Sequence, residues 1–338
     1  MNFDQVIIIT TINPPRKEIK AFSKIKNWHL ISVGDKKTPL DWKANNVIYL
    51  SPQMQDGLFP NYSKVAPWNR FTRKNTGYLF AIKNKAKIIA DTDDDVFPYK
   101  TYPHKLNSKK ETIVLSGPKF INIYKFYLKK GTKKNLCWPR GFPLDYITSK
   151  EKIIQKKSKV FVPMQNSVID KDSDFDAIYR LTNNTWVDFK KSGQYALGEG
   201  TYCPVNTQNT FTYPDVYPLL YLPTYANFHV DDIWRGYIAQ RIMWEIDAHL
   251  LFTYPTAYTS DRNTHNYLKD FEIELPLFLQ SNKLVALLDS LSLSKDISRS
   301  LLKVYREVVK AGILPKEELI VVTQWIREIE KLKYNELI

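Results

Sequence analysis

A short apolar run that leads directly into four aspartates constrains this chain more than any other feature. Ile88 to Ala90 predict a buried strand, and the aspartates follow within residues 91–95. Carboxylates this close raise one another's pKa unless a cation neutralises them. Oxygen ligands suit Mg2+ or Mn2+, which take further ligands from water and substrate phosphates. Open α/β sheets bind ligands beyond the carboxyl ends of their strands, so a metal site is expected here.

Positions within this cluster suggest different roles. Asp93 and Asp95 stand two residues apart, so on an extended chain both side chains point to one face, and we predict that they are the metal ligands. Asp91 lies deeper and is expected to brace the loop. The alternative is an acidic turn without a metal, because Asp is also a common turn residue.

The charge of the chain is concentrated in one segment. The 338 residues carry a net charge of +14, and residues 100–159 alone carry +13. A basic face suits nucleic acid, an anionic membrane surface or a diphosphate-bearing substrate. Arginines are not interleaved with the lysines and no nucleic-acid module is present, so nucleic acid is the least favoured partner. A solvated lysine-rich surface is the plain alternative.

Other compositional features set the expected compartment. The two cysteines, Cys137 and Cys203, match neither a disulfide framework nor a zinc pattern, which favours a reducing compartment. No run of about 18 apolar residues exists, and the run from Val6 to Ile9 is too short for a signal peptide. We therefore expect a cytoplasmic protein, with possible peripheral contact at the inner face of a membrane.

Strands alternate with helices in the first hundred residues, which predicts a parallel sheet with right-handed crossovers. The carboxyl-terminal residues predict a helical extension. The elements expected are strands at Val6–Thr11, Trp28–Val33, Val47–Leu50, Thr112–Leu115, Ile121–Leu128 and Val160–Val162, helices at Arg16–Lys26, Trp68–Ala86, Ser173–Leu181, Asp231–Ala248, Lys283–Leu291, Lys295–Ala311 and Lys316–Leu332, an active-site loop at Gly193–Phe211, and a surface segment at Pro214–Phe228.

Basic and polar residues precede the acidic strand. Arg70 and Lys74 are four residues apart in the predicted helix and would share one face, where they could bind the phosphates of a nucleotide. Asn75 could fix a ring or ribose hydroxyl. The alternative is a basic helix face in water.

Two downstream groups complete the candidate site. Asp231 and Asp232 begin a predicted helix, where one would cap it and complement its dipole, and the other could be a general base for an acceptor hydroxyl. Farther on, His265 could complete a metal shell or hold a diphosphate, with Arg262 beside it. A structural histidine is the alternative.

These motifs together resemble the STELLO family of glycosyltransferase-like domains, over roughly residues 5–275. The resemblance implies a GT-A glycosyltransferase fold, with a Rossmann-like mixed sheet and flanking helices, joined to a helical extension that the resemblance does not include. We expect a domain at 1–275, with a nucleotide-binding half (1–100) and an acceptor half (101–275), and an extension at 276–338. The matching segments are Val33–Pro39, Arg73–Ile82, Ile89–Asp95, Asp232–Tyr237 with Gln240 and Arg241, and Arg262–His265.

The expected activity is metal-dependent transfer of a sugar from a nucleotide diphosphate sugar, with a UDP-sugar favoured. The acceptor would be a saccharide or a lipid-linked saccharide, and the basic segment hints that it is anionic. Asp35 would accept from the base or ribose, and Asp94 would contact the sugar. Thr10, Thr11 and Asn13 would approach the nucleoside.

Three other activities fit parts of this pattern. They are a nucleotidyltransferase, although no glycine-rich phosphate loop follows the first strand; a UDP-sugar mutase of the reversibly glycosylated polypeptide kind; and a non-catalytic module that binds nucleotide sugars or a membrane surface.

Overall fold

The predicted amino-terminal strands form the parallel part of a mixed sheet. The computed structural model describes residues 3–129, 137–183, 186–259 and 266–337. The strands in these residues are β1 (Gln5–Thr10), β2 (His29–Val33), β3 (Val47–Leu50), β4 (Ile88–Asp91), β5 (Phe97–Pro98), β6 (Lys109–Ser116), β7 (Ile154–Lys171), β8 (Gln194–Leu197), β9 (Thr210–Thr212) and β10 (Ala248–Thr259). Their order across the sheet is β3-β2-β1-β4-β9-β7-β6-β8-β10-β5, and β7 also pairs with β10.

Strand β1 lies at the centre of the parallel part, between β2 and β4. Its residues from Val6 to Ile9 are fully buried, as expected of a parallel strand covered on both faces. Ile8 pairs with Asp91, so β1 and β4 end at the same edge of the sheet. The residues that follow these two strands therefore meet there.

Helices flank the sheet, which confirms the predicted α/β fold of the GT-A type. In the described chain they are α1 (Lys17–Phe22), α2 (Pro52–Leu58), α3 (Pro60–Val65), α4 (Lys74–Lys83), α5 (Ala177–Thr182), α6 (Asp231–Met243), α7 (Tyr267–Ser290), α8 (Ile297–Lys310) and α9 (Glu317–Lys331). Across the described ranges, no helix combines the length and the apolar character needed to cross a membrane.

Strand β7 connects the two parts of the sheet. It is 18 residues long, whereas only Val160 to Val162 were expected to be extended. Its first half pairs with β6, and its second half pairs with β9 and β10. The expected loop between residues 193 and 211 contains β8 at its start and reaches into β9 at its end.

Two predicted elements are wrong. The segment expected as a strand from Ile121 to Leu128 is a short 3-10 helix at Ile123–Phe126, because the Asn122 side chain accepts from the N–H of Tyr124 at 3.1 Å and caps it. The segment expected on the surface, residues 214–228, is largely buried and contains a 3-10 helix at Pro214–Leu220.

The carboxyl-terminal helices explain why that segment is buried. The indole N–H of Trp325 in α9 donates to the carbonyl of Pro218 at 3.0 Å, and Tyr305 in α8 packs edge-on against Tyr221. The buried side chains of α7, α8 and α9 belong to the same apolar cluster as those of β1 and α4. Helix α7 also runs through Pro276, where the extension was expected to begin. The division of the chain into domains stays a prediction.

Helix α4 packs closely on the parallel strands because residue 77 has no side chain. A Cβ atom on Gly77 would lie 2.6 Å from a methyl carbon of Val33 in β2 and 2.8 Å from one of Ile8 in β1. Those separations are too short for van der Waals contact. The close approach sets the distance between α4 and the strand edge where the site lies.

We expect Gly77→Ala to lower the free energy of unfolding by about 1–3 kcal/mol, because the added methyl overpacks this contact. Gly57→Ala in α2 is the matched control: no atom lies within 4 Å of its added Cβ. There the change should be neutral or stabilising by up to about 1 kcal/mol. Urea denaturation of both variants measures the difference, and equal effects would contradict the packing argument.

Candidate active site

Two adjoining pockets lie beyond the carboxyl ends of β1 and β4. The first has a volume of about 460 Å³ and the second about 250 Å³. They share Phe71, Asp93, Asp94 and Phe228, so the acidic cluster stands at their boundary. The predicted site residues in the first pocket are Thr10, Thr11, Asn13, Asp35, Arg70, Asp93, Asp94 and Asp231, and those in the second are Asp93, Asp94, Asp95 and Asp232.

Asp94 joins the acidic cluster to the end of β1. Its Oδ2 accepts from the Thr11 hydroxyl at 2.6 Å and from the Asn13 side-chain amide at 3.0 Å. The Arg16 guanidinium stands 4.0 Å from the other oxygen. Thr11 and Asn13 were expected to approach a nucleoside, and in this structure they fix the position of Asp94.

Asp91 is a buried anchor beneath the cluster. Its carboxylate accepts from the Tyr78 hydroxyl and, at 3.0 Å, from the guanidinium of Arg235 in α6. Burial raises the pKa of Tyr78, and the charge of Asp91 raises it further, so the phenol stays protonated and donates. The expected bracing role of Asp91 agrees with this geometry.

Lys74 faces the underside of the acidic cluster. Its ammonium is fully buried, 2.8 Å from the carbonyl oxygen of Thr92 and 3.0 Å from Oδ1 of Asp93. It lines neither pocket, so direct contact with donor phosphates does not fit its position. Arg70 is exposed and lines the first pocket, but it precedes α4 in an extended conformation. The expected pairing of Arg70 and Lys74 on one helical face is wrong.

Two further predicted contacts have other roles in the fold. The Asp35 carboxylate lines the first pocket but accepts three main-chain N–H groups, from Lys36 at 2.6 Å, Asn69 at 2.9 Å and Arg70 at 3.0 Å. Asn75 is fully buried away from both pockets, and its amide bonds both main-chain groups of Leu222 at 3.0 Å. The prediction that Asn75 contacts a ring or ribose is therefore contradicted.

Asp232 is held by a bidentate ion pair. The Arg140 guanidinium donates to its two oxygens at 3.1 and 3.0 Å, and the N–H of Ile233 donates at 2.9 Å. Burial raises the pKa of Asp232, although Arg140 opposes that shift. Because these donors already occupy both oxygens, Asp232 is poorly placed to take a proton from an acceptor.

Asp231 is almost fully buried, as Asp232 is, but it lines a different pocket. It lines the first pocket, and its Oδ1 accepts from the N–H of Asp232 at 2.6 Å. Its pKa is raised well above the ordinary range, first by burial and then by the neighbouring Asp232 charge. A carboxylate of raised pKa is a stronger proton acceptor once it is ionised.

The ion-pair partners of Arg140 and His229 in the second pocket were not predicted from the sequence. Arg140 also binds Asp174 at 2.9 Å, and the His229 ring bonds Glu274 of α7 at 2.9 Å. One signal was available, because Arg140 is the single arginine among fifteen lysines of residues 100–159. Arginine is the residue suited to buried bidentate pairing with carboxylates.

All the ligand atoms that the acidic cluster offers a cation are carboxylate oxygens. Asp93 and Asp95 are half-buried at the pocket wall, and Lys74 already contacts one oxygen of Asp93. Within the described residues no three His, Cys, Asp or Glu side chains converge as a complete metal site. The cluster therefore fits a hard cation that takes further ligands from water and a diphosphate. Arg262 and His265 lie outside the described residues.

The wall opposite the acidic cluster is held by the carboxyl-terminal helices. The buried carboxylate of Glu318 in α9 accepts from the Tyr221 hydroxyl and from the N–H groups of Thr224 at 3.0 Å and Tyr225 at 2.8 Å. Asn227 donates to the carbonyl of Ile273 in α7 at 2.7 Å. This segment leads directly to the pocket-lining residues 226–229.

We expect Glu318→Ala to lower the free energy of unfolding by about 2–4 kcal/mol, because it leaves buried N–H groups without acceptors. Glu317→Ala removes an acid from the same helical turn and is the matched control. Denaturant unfolding measures the difference. Hydrogen exchange at Thr224 and Tyr225 should accelerate only in the Glu318 variant, and unchanged protection there would contradict the role of Glu318.

We expect Asp231→Asn to gain stability relative to the native protein as pH rises. The folded state binds the Asp231 proton more tightly than the unfolded chain, whose pKa is about 3.8. The contribution of Asp231 to native stability should therefore fall as pH increases above about 4, whereas an amide does not ionise. Urea midpoints at pH 4.5, 6 and 7.5 measure the gap. Asp4→Asn, at an exposed position, should run parallel to the native protein; parallel curves for Asp231→Asn would refute the raised pKa.

Comparisons with known proteins find similarity to glycosyltransferases. A family model described as STELLO glycosyltransferases matches residues 229–338. The chain is 30% identical over 276 residues to "Probable glycosyltransferase STELLO1" of Arabidopsis thaliana, and 29% identical over the same length to "Probable glycosyltransferase STELLO2". Each alignment covers 76% of this chain, and 35% and 36% of the two plant proteins.

The chain thus spans about a third of the length of these curated relatives. The family match extends to residue 338 and includes α7, α8 and α9, so the expectation that the helical extension lies outside the resemblance is wrong. The chain is thus similar to the STELLO glycosyltransferases, in the family model over residues 229–338 and in the plant relatives over 276 residues.

Proposed function

We propose that this protein is a metal-dependent glycosyltransferase that moves a sugar from a nucleotide diphosphate sugar, with a UDP-sugar favoured, to a saccharide or lipid-linked saccharide. The observation that carries the proposal is the position of Asp93 and Asp94 at the boundary of the two pockets. A donor in one pocket and an acceptor in the other would meet at the acidic cluster. Similarity to the STELLO glycosyltransferases supports the same class of reaction.

The first pocket is the proposed donor site. Thr10 ends β1, and Thr11 and Asn13 follow it along the wall of this pocket, where these residues would approach the nucleoside. Arg70 and Lys37 bring positive charge to the same pocket and would face the diphosphate. Such fixed charges stabilise negative charge on a departing diphosphate.

The acidic cluster is the proposed binding site of Mn2+ or Mg2+. Asp93 and Asp95 would hold the cation, which when bound stabilises the charge on the departing diphosphate. Lys74 lies behind Asp93 at 3.0 Å and fixes the direction of that carboxylate. Asp94, held by Thr11 and Asn13, would present its remaining oxygen to the sugar.

Asp231, which lines the first pocket, is the proposed general base for an acceptor hydroxyl that reaches from the second pocket to the shared boundary at Asp93 and Asp94. In the transfer, an acceptor oxygen bonds to the anomeric carbon, the bond from that carbon to the diphosphate oxygen breaks, and the acceptor proton passes to Asp231. Ion pairing with Arg140 leaves Asp232 as the group that positions the start of α6. In-line attack would invert the anomeric configuration.

The second pocket favours a neutral acceptor over an anionic one. Its two arginines are already paired, Arg140 with Asp174 and Asp232 and Arg180 with Asp172. Its carboxylates outnumber these cations. None of the lysines of residues 100–159 lines either pocket in the described structure, so the anionic acceptor inferred from the sequence gains no support.

A thermal-shift screen of nucleotide sugars with and without Mn2+ tests the donor. A ligand at a hundred times its Kd should stabilise the protein by about 2.7 kcal/mol. We expect a UDP-sugar with Mn2+ to give the largest shift. Analysis of the products then separates sugar transfer, which releases the nucleoside diphosphate, from interconversion of the sugar's ring forms. No shift with any nucleotide sugar would contradict the proposal.

We expect Asp93→Asn combined with Asp95→Asn to abolish the Mn2+-dependent thermal shift and the release of nucleoside diphosphate, because amides are weak ligands for hard cations. The control is Asp4→Asn with Asp41→Asn, which replaces two carboxylates that line neither pocket. Full activity in the Asp93 and Asp95 double variant, with its fold intact by circular dichroism, would remove the central claim.

A further inference from the structure

The positive charge of this protein lies outside the cleft. Residues 100–159 account for +13 of the net charge of +14. Of this segment only Arg140 lines either pocket in the described structure, and ion pairs occupy its guanidinium. The lysines therefore do not contact substrate in the cleft, and their concentration needs a different explanation.

Eight of the twelve described lysines of this segment lie on or next to one pair of strands. We call this surface the basic ribbon and define it as residues 105–116 and 150–161, which contain β6 and the first half of β7. It carries eight lysines and two glutamates, a net charge of +6. All of these lysines except Lys110 are exposed. The ribbon is therefore a solvent-facing surface of high positive charge.

The pairing of the strands holds these charges close together. Adjacent strands lie about 4.8 Å apart, and the register places Lys157 opposite Ile113 and Lys159 opposite Glu111. Glu111 forms an ion pair with Lys157 at 2.8 Å. The pKa of Lys110 is lowered, first by burial and then by the charge of Lys105. The two glutamates of the ribbon cannot neutralise its eight ammonium groups.

Protection of a strand edge explains only part of the pattern. Residues 154–160 of β7 pair with β6 on one side and have no strand partner on the other in the described structure. Lysines on such an edge discourage pairing with another chain. Lys105, Lys150 and Lys152 lie outside the strands and have no part in that protection.

We propose that the basic ribbon docks the protein on an anionic lipid bilayer. Lysines near a negatively charged leaflet attract it without a fixed geometry. Ile154 is 55% exposed among the lysines, so its side chain can enter the lipid interface. The ribbon has no arginine and one aromatic residue, the half-buried Phe161, so it lacks the stacking groups of a nucleic-acid surface. This inference does not depend on the proposed sugar transfer.

Co-sedimentation of the full chain with lipid vesicles tests the proposal. We expect binding to phosphatidylcholine vesicles that contain about 30% phosphatidylserine at about 50 mM NaCl. Binding should be lost at about 500 mM NaCl, because salt screens surface charge, and it should also be lost on pure phosphatidylcholine. Lys156→Glu, Lys157→Glu and Lys159→Glu together should weaken binding at least about tenfold.

A matched triple variant distinguishes the effect of this local surface on vesicle binding from the effect of the net charge. Lys295→Glu, Lys310→Glu and Lys316→Glu change the net charge equally at exposed positions in or next to α8 and α9. This control should bind as the native protein does. Equal loss in both triple variants, no binding by the native protein, or tighter binding to single-stranded RNA than to the vesicles would each overturn the proposal. If the first triple variant fails to fold, the corresponding glutamine substitutions give the same comparison with a smaller loss.

Discussion

The buried carboxylate of Asp91 is the interaction on which the cleft depends. It joins β4 to α4 through Tyr78 and to α6 through Arg235, with all three side chains almost fully buried. Removing one partner of a buried ion pair typically lowers the free energy of unfolding by about 3–5 kcal/mol. This network therefore stabilises one arrangement of β4, α4 and α6. Lys74 extends the network to Asp93, and Arg235 stands one helical turn after Asp231. The same charges therefore set the separation between the candidate metal ligands and the candidate base.

The carboxyl-terminal helices complete the cleft from the opposite side. Glu318 fixes main-chain groups of residues 224 and 225, and Glu274 fixes His229. The segment between these anchors forms part of both pockets. A change in α9 would thus reach the start of α6, where Asp231 and Asp232 lie. The family match over residues 229–338 is consistent with this coupling, because it spans both the helix that carries these aspartates and the helices that pack against it.

Local sequence patterns were sufficient to predict the parallel strands and the acidic edge of the sheet. They were not sufficient to predict which side chains would contact one another. The run from Val6 is apolar at every position, which fits a strand covered on both faces, and the cluster at 91–95 marks where a strand ends. Asn75 failed as a ligand because its direction depends on Leu222, 147 residues away. The buried segment after Pro214 depends on Trp325 in the same way. Such contacts join distant parts of the chain and leave no local signal.

The separation of charge between cleft and surface links the two proposals. The second pocket is lined by seven carboxylates and by two arginines that are already paired, whereas the basic ribbon lies on another surface. An anionic acceptor group would be repelled from that pocket, and a cation or a neutral hydroxyl would not. The ribbon would attract an anionic bilayer without adding charge to the pocket wall, because none of its residues lines that pocket. A lipid-linked acceptor with a neutral reacting sugar and an anionic linker meets both conditions.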